Sequence, residues 1–112
     1  MRHIILIVCL LVCTSSHAVD VERLANAIYR AEGGKKAGYL YGIRSVDYDT
    51  PEEARRICIN SICNNYKRWY KAGQPGDFIS FMGARYCPVG ADNDNGSNQY
   101  WIRNVKYFYG KS

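Results

Sequence analysis

Asp20-Val21-Glu22-Arg23-Leu24-Ala25-Asn26-Ala27-Ile28-Tyr29-Arg30-Ala31-Glu32-Gly33-Gly34 is the stretch from which the rest of the chain can be read. Val21, Leu24, Ala25, Ile28 and Glu32 recur at helical spacing, so they share one face of a helix. Asp20 and Glu22 lie near its start, where negative charge suits the helix dipole. Gly33-Gly34 stops it. Glu32 follows Val21 by eleven residues, about three turns, which sets a carboxylate on the apolar stripe. It also stands at the C-terminal end of the helix, where the dipole is negative. Apolar surroundings and dipole both disfavour the ionised form and should raise its pKa. A carboxylic acid held protonated near neutral pH can donate a proton to a leaving group. The bland alternative is an ion pair between Glu32 and Lys35 or Lys36 at the edge of the stripe.

Reading outward, residues 35–49 hold glycine, tyrosine and scattered apolar side chains without helical period, which predicts turns and a small hairpin around Tyr39 to Val46. A second helix starts at Thr50-Pro51, with Glu53 three residues after the cap. Its apolar stripe is Cys58, Ile59, Ile62, Cys63, Tyr66 and Trp69, and it ends at Ala72-Gly73. Asp77 caps a shorter third helix carrying Phe78, Phe81 and Met82, which must end by Tyr86 because Pro88 follows. Gly90 to Ser97 is polar and turn-rich. Ser97 is expected to cap a last helix with Trp101, Val105 and Phe108, closed by Gly110. The expected architecture is mainly α: a small helical domain with a short irregular or hairpin insert after the first helix.

Residues 1–18 have the three-part layout of a cleavable signal peptide: Met1-Arg2-His3, an apolar run from Ile4 to Val12, and small residues before a cut after Ala18. The run is too short for a membrane span, which needs about 20 residues. The expectation is an exported, periplasmic or secreted protein with one domain at 19–112, monomeric and without a stable membrane anchor. Cys58, Cys63 and Cys87 remain in that domain. Cys58 and Cys63 lie about 140° apart around one helix, so Cys87 should be one partner of a disulfide. Cys58–Cys87 is the favoured pair, with Cys63–Cys87 second.

Fifteen Lys and Arg against ten Asp and Glu give a net charge of +5, without a long basic block. An acidic polymer suits that charge, but the lack of a concentrated Lys/Arg stripe argues against nucleic acid. Ten tyrosines and two tryptophans suit flat, half-polar platforms for sugars as well as core packing. Both histidines, His3 and His17, lie in the leader, which excludes Cys-His and Ser-His-Asp catalysis and histidine zinc sites from 19–112. Asp92-Asn93-Asp94-Asn95-Gly96 fails the spacing of a calcium loop, because glycine stands fifth and Arg103 stands where the closing Glu should be. No metal and no cofactor are expected. Asp47 and Asp49 are the other carboxylates that could face a cleft.

Ala27-Ile28-Tyr29-Arg30-Ala31-Glu32-Gly33-Gly34, followed by Tyr41-Gly42-Ile43, resembles the active-site start of the lysozyme-like superfamily, most closely the lytic transglycosylases and goose-type lysozymes. Gly83-Ala84-Arg85-Tyr86-Cys87-Pro88 loosely resembles their alanine-tyrosine-asparagine segment. The aromatic last helix with Tyr107 and Tyr109 resembles their closing helix. The departures are Gly33 in place of a serine, Arg44-Ser45 in place of a glutamine, and Cys87 in place of an asparagine.

The resemblance implies a lysozyme-like catalytic domain at 19–112, with Glu32 as the single catalytic acid/base. Tyr41, Gly42, Ile43, Tyr86 and Tyr107 would touch substrate; independently of the resemblance, the polar loop reads as one lip of a cleft, where Asn95 or Asn98 would contact sugar amides. The implied partners are peptidoglycan glycan strands and a secretion or conjugation apparatus that needs the wall opened locally. The alternative is a non-catalytic module of the same fold that binds wall glycan or protein.

Overall fold

The computed structural model describes residues 19–92, 94 and 96–111. Residues 1–18, where a signal peptide is expected, and Asn95 lie outside the described residues. The first helix, α1 (Val21–Ala31), begins where Asp20 accepts a hydrogen bond from the Arg23 amide at 3.2 Å and ends on Glu32. Gly33 follows with φ +109°, a left-handed geometry that glycine adopts without steric cost. The apolar stripe is as expected: Val21, Leu24, Ala25 and Ile28 are buried, joined by Ala27.

The insert contains no strand among the described residues. The hairpin expected around Tyr39 to Val46 is instead two 3-10 turns, Gly34–Lys36 and Leu40–Gly42. The reason is local: Tyr41 at φ +57° and Gly42 at φ +71° curl the chain back where a strand would stay extended. Tyr48 ties the insert together, its hydroxyl accepting from the Leu40 amide at 2.8 Å.

Helix α2 (Pro51–Lys71) starts at the expected cap, with Thr50 Oγ1 accepting from the Glu53 amide at 3.1 Å. Helix α3 (Phe78–Tyr86) is capped by Asp77, which accepts from the Ser80 amide at 2.9 Å. Before the last helix the structure departs from expectation. A 3-10 turn, Asn98–Tyr100, precedes α4 (Trp101–Lys111), and Ser97 gives the turn no side-chain cap. Asp94 orders this loop, accepting from the amides of Gly90, Gly96 and Asn98. A carboxylate has the acceptor capacity for three donors, which a serine lacks. Gly110 does not end α4 but lies within it.

The four helices enclose one core, in which Leu24, Ile28, Ile62, Met82 and Val105 are wholly buried. Helix α1 packs along α4 and against α2; α3 closes between α2 and α4. Arg23 latches α1 to α4, donating from Nε to the Tyr109 carbonyl at 2.8 Å while its guanidinium lies over the Tyr109 ring. Arg55 latches α2 to α1, donating to Asn26 and to Glu22. Tyr66, Trp69 and Phe78 form an edge-packed aromatic cluster between α2 and α3. None of the described helices is long and apolar enough to cross a membrane.

The Cys58–Cys87 bond expected from sequence is not present; both residues are thiols. Cys58 is wholly enclosed on the inner side of α2, with its thiol against the Tyr86 hydroxyl, whereas Cys87 caps the far end of α3. Burial pushes Cys58 up to about 12 and Cys87 up to about 11, so both stay protonated at neutral pH.

Gly83 marks the closest approach of α3 to α4. A Cβ there would fall 2.5 Å from Ile102 Cγ1 and 3.0 Å from Trp101 Cε3. Gly83→Ala should therefore destabilise the fold by about 1–3 kcal/mol, as overpacked cores do, read from the midpoint of urea unfolding.

Candidate functional site

Glu32 is the residue that ends α1, and three separate elements close on its carboxyl group. The first is Trp101, the opening residue of α4. Its ring is buried, and its indole Nε1 donates to Glu32 Oε2 at 3.0 Å. A buried indole N–H needs an acceptor, and this one is supplied from 69 residues away. The second is the left-handed turn at Tyr41-Gly42. A Cβ at Gly42 would lie 2.6 Å from Glu32 Cδ and 2.9 Å from Oε1, so the backbone itself packs on the carboxyl and only glycine fits. The third is Tyr86 at the end of α3, whose ring stacks on Trp101 at 5.3 Å and whose hydroxyl donates to the Tyr41 carbonyl.

Tyr41 holds a positive φ that costs a non-glycine residue about 1–2 kcal/mol. Its own packing offsets that cost. The ring is buried against Tyr29 at 5.2 Å, and its hydroxyl accepts from Arg55 at 3.4 Å. Strain held in place by surrounding packing is common at functional sites.

Glu32, Gly42 and Tyr86 line a groove of about 310 Å³, while Trp101 holds the carboxyl from behind without lining it. The insert forms one wall, with Ala37, Gly38, Tyr39, Gly42 and Arg44. Tyr86, Cys87 and Pro88 from the end of α3 form the other, continued by Ser97 and Asn98. Asn98 ties the lip by donating from Nδ2 to the Pro88 carbonyl at 2.8 Å. Tyr39 is 49 % exposed and presents its ring beside the Arg44 guanidinium, 4.7 Å from the ring centroid.

Glu32 is the only acid among the described lining residues. It forms no ion pair among the described residues; Lys35 and Lys36 do not clamp it. Its pKa is raised, and burial is the main cause. The Trp101 hydrogen bond and the positive charge of Arg44 act in the opposite sense, drawing the value partly back. The group is therefore easier to protonate than a free glutamate, with a preset donor for the anion it forms on losing its proton.

The residues expected from sequence divide. Glu32, Gly42 and Tyr86 meet at the groove, and Asn98 joins them from the polar loop. Tyr41 is buried beneath the groove and contributes only its carbonyl and its turn. Ile43 is also buried and does not line this groove. Tyr107 is turned away from the groove: it is 58 % exposed and packs edge-on against Phe108, near the Lys111 ammonium. It follows Trp101 by six residues, which turns it away from the inward face of α4. Asp47 and Asp49 are exposed and line no wall of the groove, because Tyr48 between them is the residue turned inward.

Trp101, Tyr39 and Arg44 were not singled out from sequence as site residues. Trp101 reads as one more member of an apolar stripe, and the sole signal was chemical: a buried indole donor and a buried acceptor each require a partner.

No protein-family model, no curated protein and no solved structure matches the chain.

Two outcomes are expected. In Trp101→Phe the donor that favours the carboxylate is lost, so the Glu32 pKa should rise further, read by NMR titration of its side-chain carbon. Glu32→Gln keeps an acceptor for Trp101 but removes the charge. A raised folded pKa means that the folded state binds more protons than the unfolded one, so ionised Glu32 weakens the fold as pH climbs above 4.5. The variant should therefore melt at or above the wild-type temperature at pH 7, and the gap should close below about pH 4.5 in paired thermal melts.

Proposed function

We propose that the chain is an exported peptidoglycan-cleaving glycosidase of the lysozyme-like kind, working through Glu32 as general acid and then general base. The observation that carries this reading is a half-buried carboxyl with a raised pKa, at an open groove, with an indole donor and no clamping cation among the described residues. A purely structural glutamate at a helix end has no need of that combination.

In the proposed reaction, protonated Glu32 gives its proton to the glycosidic oxygen and the C–O bond breaks. The sugar ring is left as an oxocarbenium-like cation, which the substrate's own N-acetyl oxygen traps. One carboxylate suffices for this course, in keeping with the single acid in the groove. Glu32 leaves the first step as an anion, and Trp101 Nε1 is placed to stabilise it. The carboxylate then takes a proton either from water, giving a reducing end, or from a hydroxyl of the same sugar, giving an anhydro end. Gly42, having no side chain, lets the turn pack directly on the carboxyl and so fixes the acid's place in the groove. Tyr39 and Tyr86 offer ring surface to sugar faces on opposite walls.

A second reading is a glycan-binding module without catalysis. It is favoured by the same Trp101 bond and the Arg44 charge, both of which stabilise the ionised form that cannot act as an acid.

Mass spectrometry of purified peptidoglycan after incubation with the protein separates the readings. The glycosidase should release muropeptides, and the end group reports which proton is taken. Glu32→Gln should lower that release by at least about a hundredfold, the lower end of the range for loss of a general acid. The rate should fall as pH rises through the Glu32 pKa, because the acid form starts the reaction. Persistent release by the variant would show that another group supplies the proton.

A further inference from the structure

Tyr86 lines two hollows. One is the Glu32 groove; the other, of about 240 Å³, shares Gly42, Arg44 and Tyr86 with it and is also lined by Ile43, Ile57 and Cys58. Trp101 backs one face of the Tyr86 ring. With open space at both hollows, however, the hydroxyl end of the ring depends on its hydrogen bonds for its place.

A phenol hydroxyl has one proton to give and lone pairs to receive others. The proton of Tyr86 goes to the Tyr41 carbonyl. The same hydroxyl also meets the Cys58 thiol. Burial keeps both groups protonated at neutral pH, so in this pair the thiol is the donor and the hydroxyl the acceptor. Cys58 is wholly buried on the inner side of α2, and no water stands in for it there. A thiol suits such a place, because it packs as a small apolar group and still offers one weak donor.

The contacts run in series to the carboxyl. Cys58 holds the Tyr86 hydroxyl, and Tyr86 holds the Tyr41 carbonyl. The Tyr41-Gly42 turn then packs on Glu32. The charge of Glu32 acts in return on both Cys58 and Tyr86. The other groups that act electrostatically with Glu32 are Trp101 from α4, Arg44 from the insert and Cys87 at the end of α3.

We propose that Cys58 is a positioning residue for the Glu32 site: by holding the Tyr86 hydroxyl from α2 it keeps the left-handed turn pressed on the carboxyl and water away from it. It acts through Tyr86 and touches nothing in the groove, so its role is the same whichever ligand the groove takes.

The test is NMR titration of the Glu32 side-chain carbon in the full chain. In Cys58→Ala the hydroxyl loses its donor, the turn loosens and water reaches the carboxyl, so the Glu32 midpoint should fall toward that of a free glutamate. Cys58→Val fills the space without donating and should give the same fall. Tyr86→Phe removes the hydroxyl, keeps the ring on Trp101 and should lower the midpoint by itself. Adding Cys58→Ala to Tyr86→Phe should then lower it no further, since the two act through one hydroxyl. Ile62→Val, a buried truncation on the same helix, should leave the midpoint at its wild-type value. An unchanged midpoint in Cys58→Ala or in Tyr86→Phe overturns the role. So does a Cys58→Ala shift of equal size with and without the Tyr86 hydroxyl. A wild-type midpoint in Cys58→Val reduces Cys58 to a space-filler, and an equal fall in Ile62→Val makes any loosening of the core sufficient; either overturns it as well. A protein that titrates as expected but releases no muropeptides keeps this role for Cys58 and loses the catalytic reading. One that releases muropeptides while its Glu32 midpoint ignores Cys58 does the reverse.

Discussion

The hydrogen bond from Trp101 Nε1 to Glu32 Oε2 is the contact that the site cannot do without. It joins the end of the first helix to the start of the last, and each partner would be costly if left alone. A buried indole N–H without an acceptor and a half-buried carboxylate without a donor both incur a desolvation penalty of about 1–3 kcal/mol or more. Meeting each other, they settle two debts of the fold at once. The pairing also explains why the close approach of α3 to α4 needs Gly83: a side chain there would press on Trp101 and on Ile102 beside it.

The turn at Tyr41-Gly42 is the second constraint, and it depends on the first. Two successive left-handed residues carry the backbone across the carboxyl. Tyr41 can hold that conformation because its ring is locked in the core by Tyr29 and Arg55, and its carbonyl is held by Tyr86. The strain is thus distributed over α1, α2 and α3. Its bond to the Tyr41 carbonyl and its packing on Trp101 fix the position of Tyr86, which is why one residue can serve both as a strut under the turn and as a wall of the groove.

Much of the fold was legible because its signals are local. Caps at Asp20, Thr50 and Asp77, the stripe of α1, and the glycine and proline stops each follow from a few adjacent residues. The failures are those where the decisive partner is distant or the local cue is ambiguous. Ser97 looked like a cap, but Asp94 offered more acceptors nearby. The insert looked like a hairpin, because nothing local announces that a tyrosine will accept a positive φ. Glu32 was legible through its position on an apolar stripe, and Gly42 and Tyr86 through the resemblance. Tyr107 was misread because an aromatic helix with several rings does not say which of them faces inward. Trp101 was invisible as a partner, since pairing across 69 residues leaves no trace in spacing.

The opposing influences on Glu32 bear directly on the chemistry proposed for it. Burial alone favours the acid form, which suits the opening step and obstructs the next, because the anion left behind would be unsupported. A fully solvated or ion-paired carboxylate has the opposite fault. Here burial raises the pKa, while Trp101 and Arg44 restrain the rise. The result is a carboxyl that is easier to protonate than a free glutamate and still has a donor for its anion. An acid that must also act as the base in the same cycle needs both of its protonation states supported. The groove supplies it with one hydrogen bond and one distant charge, and without a second carboxylate among its described lining residues.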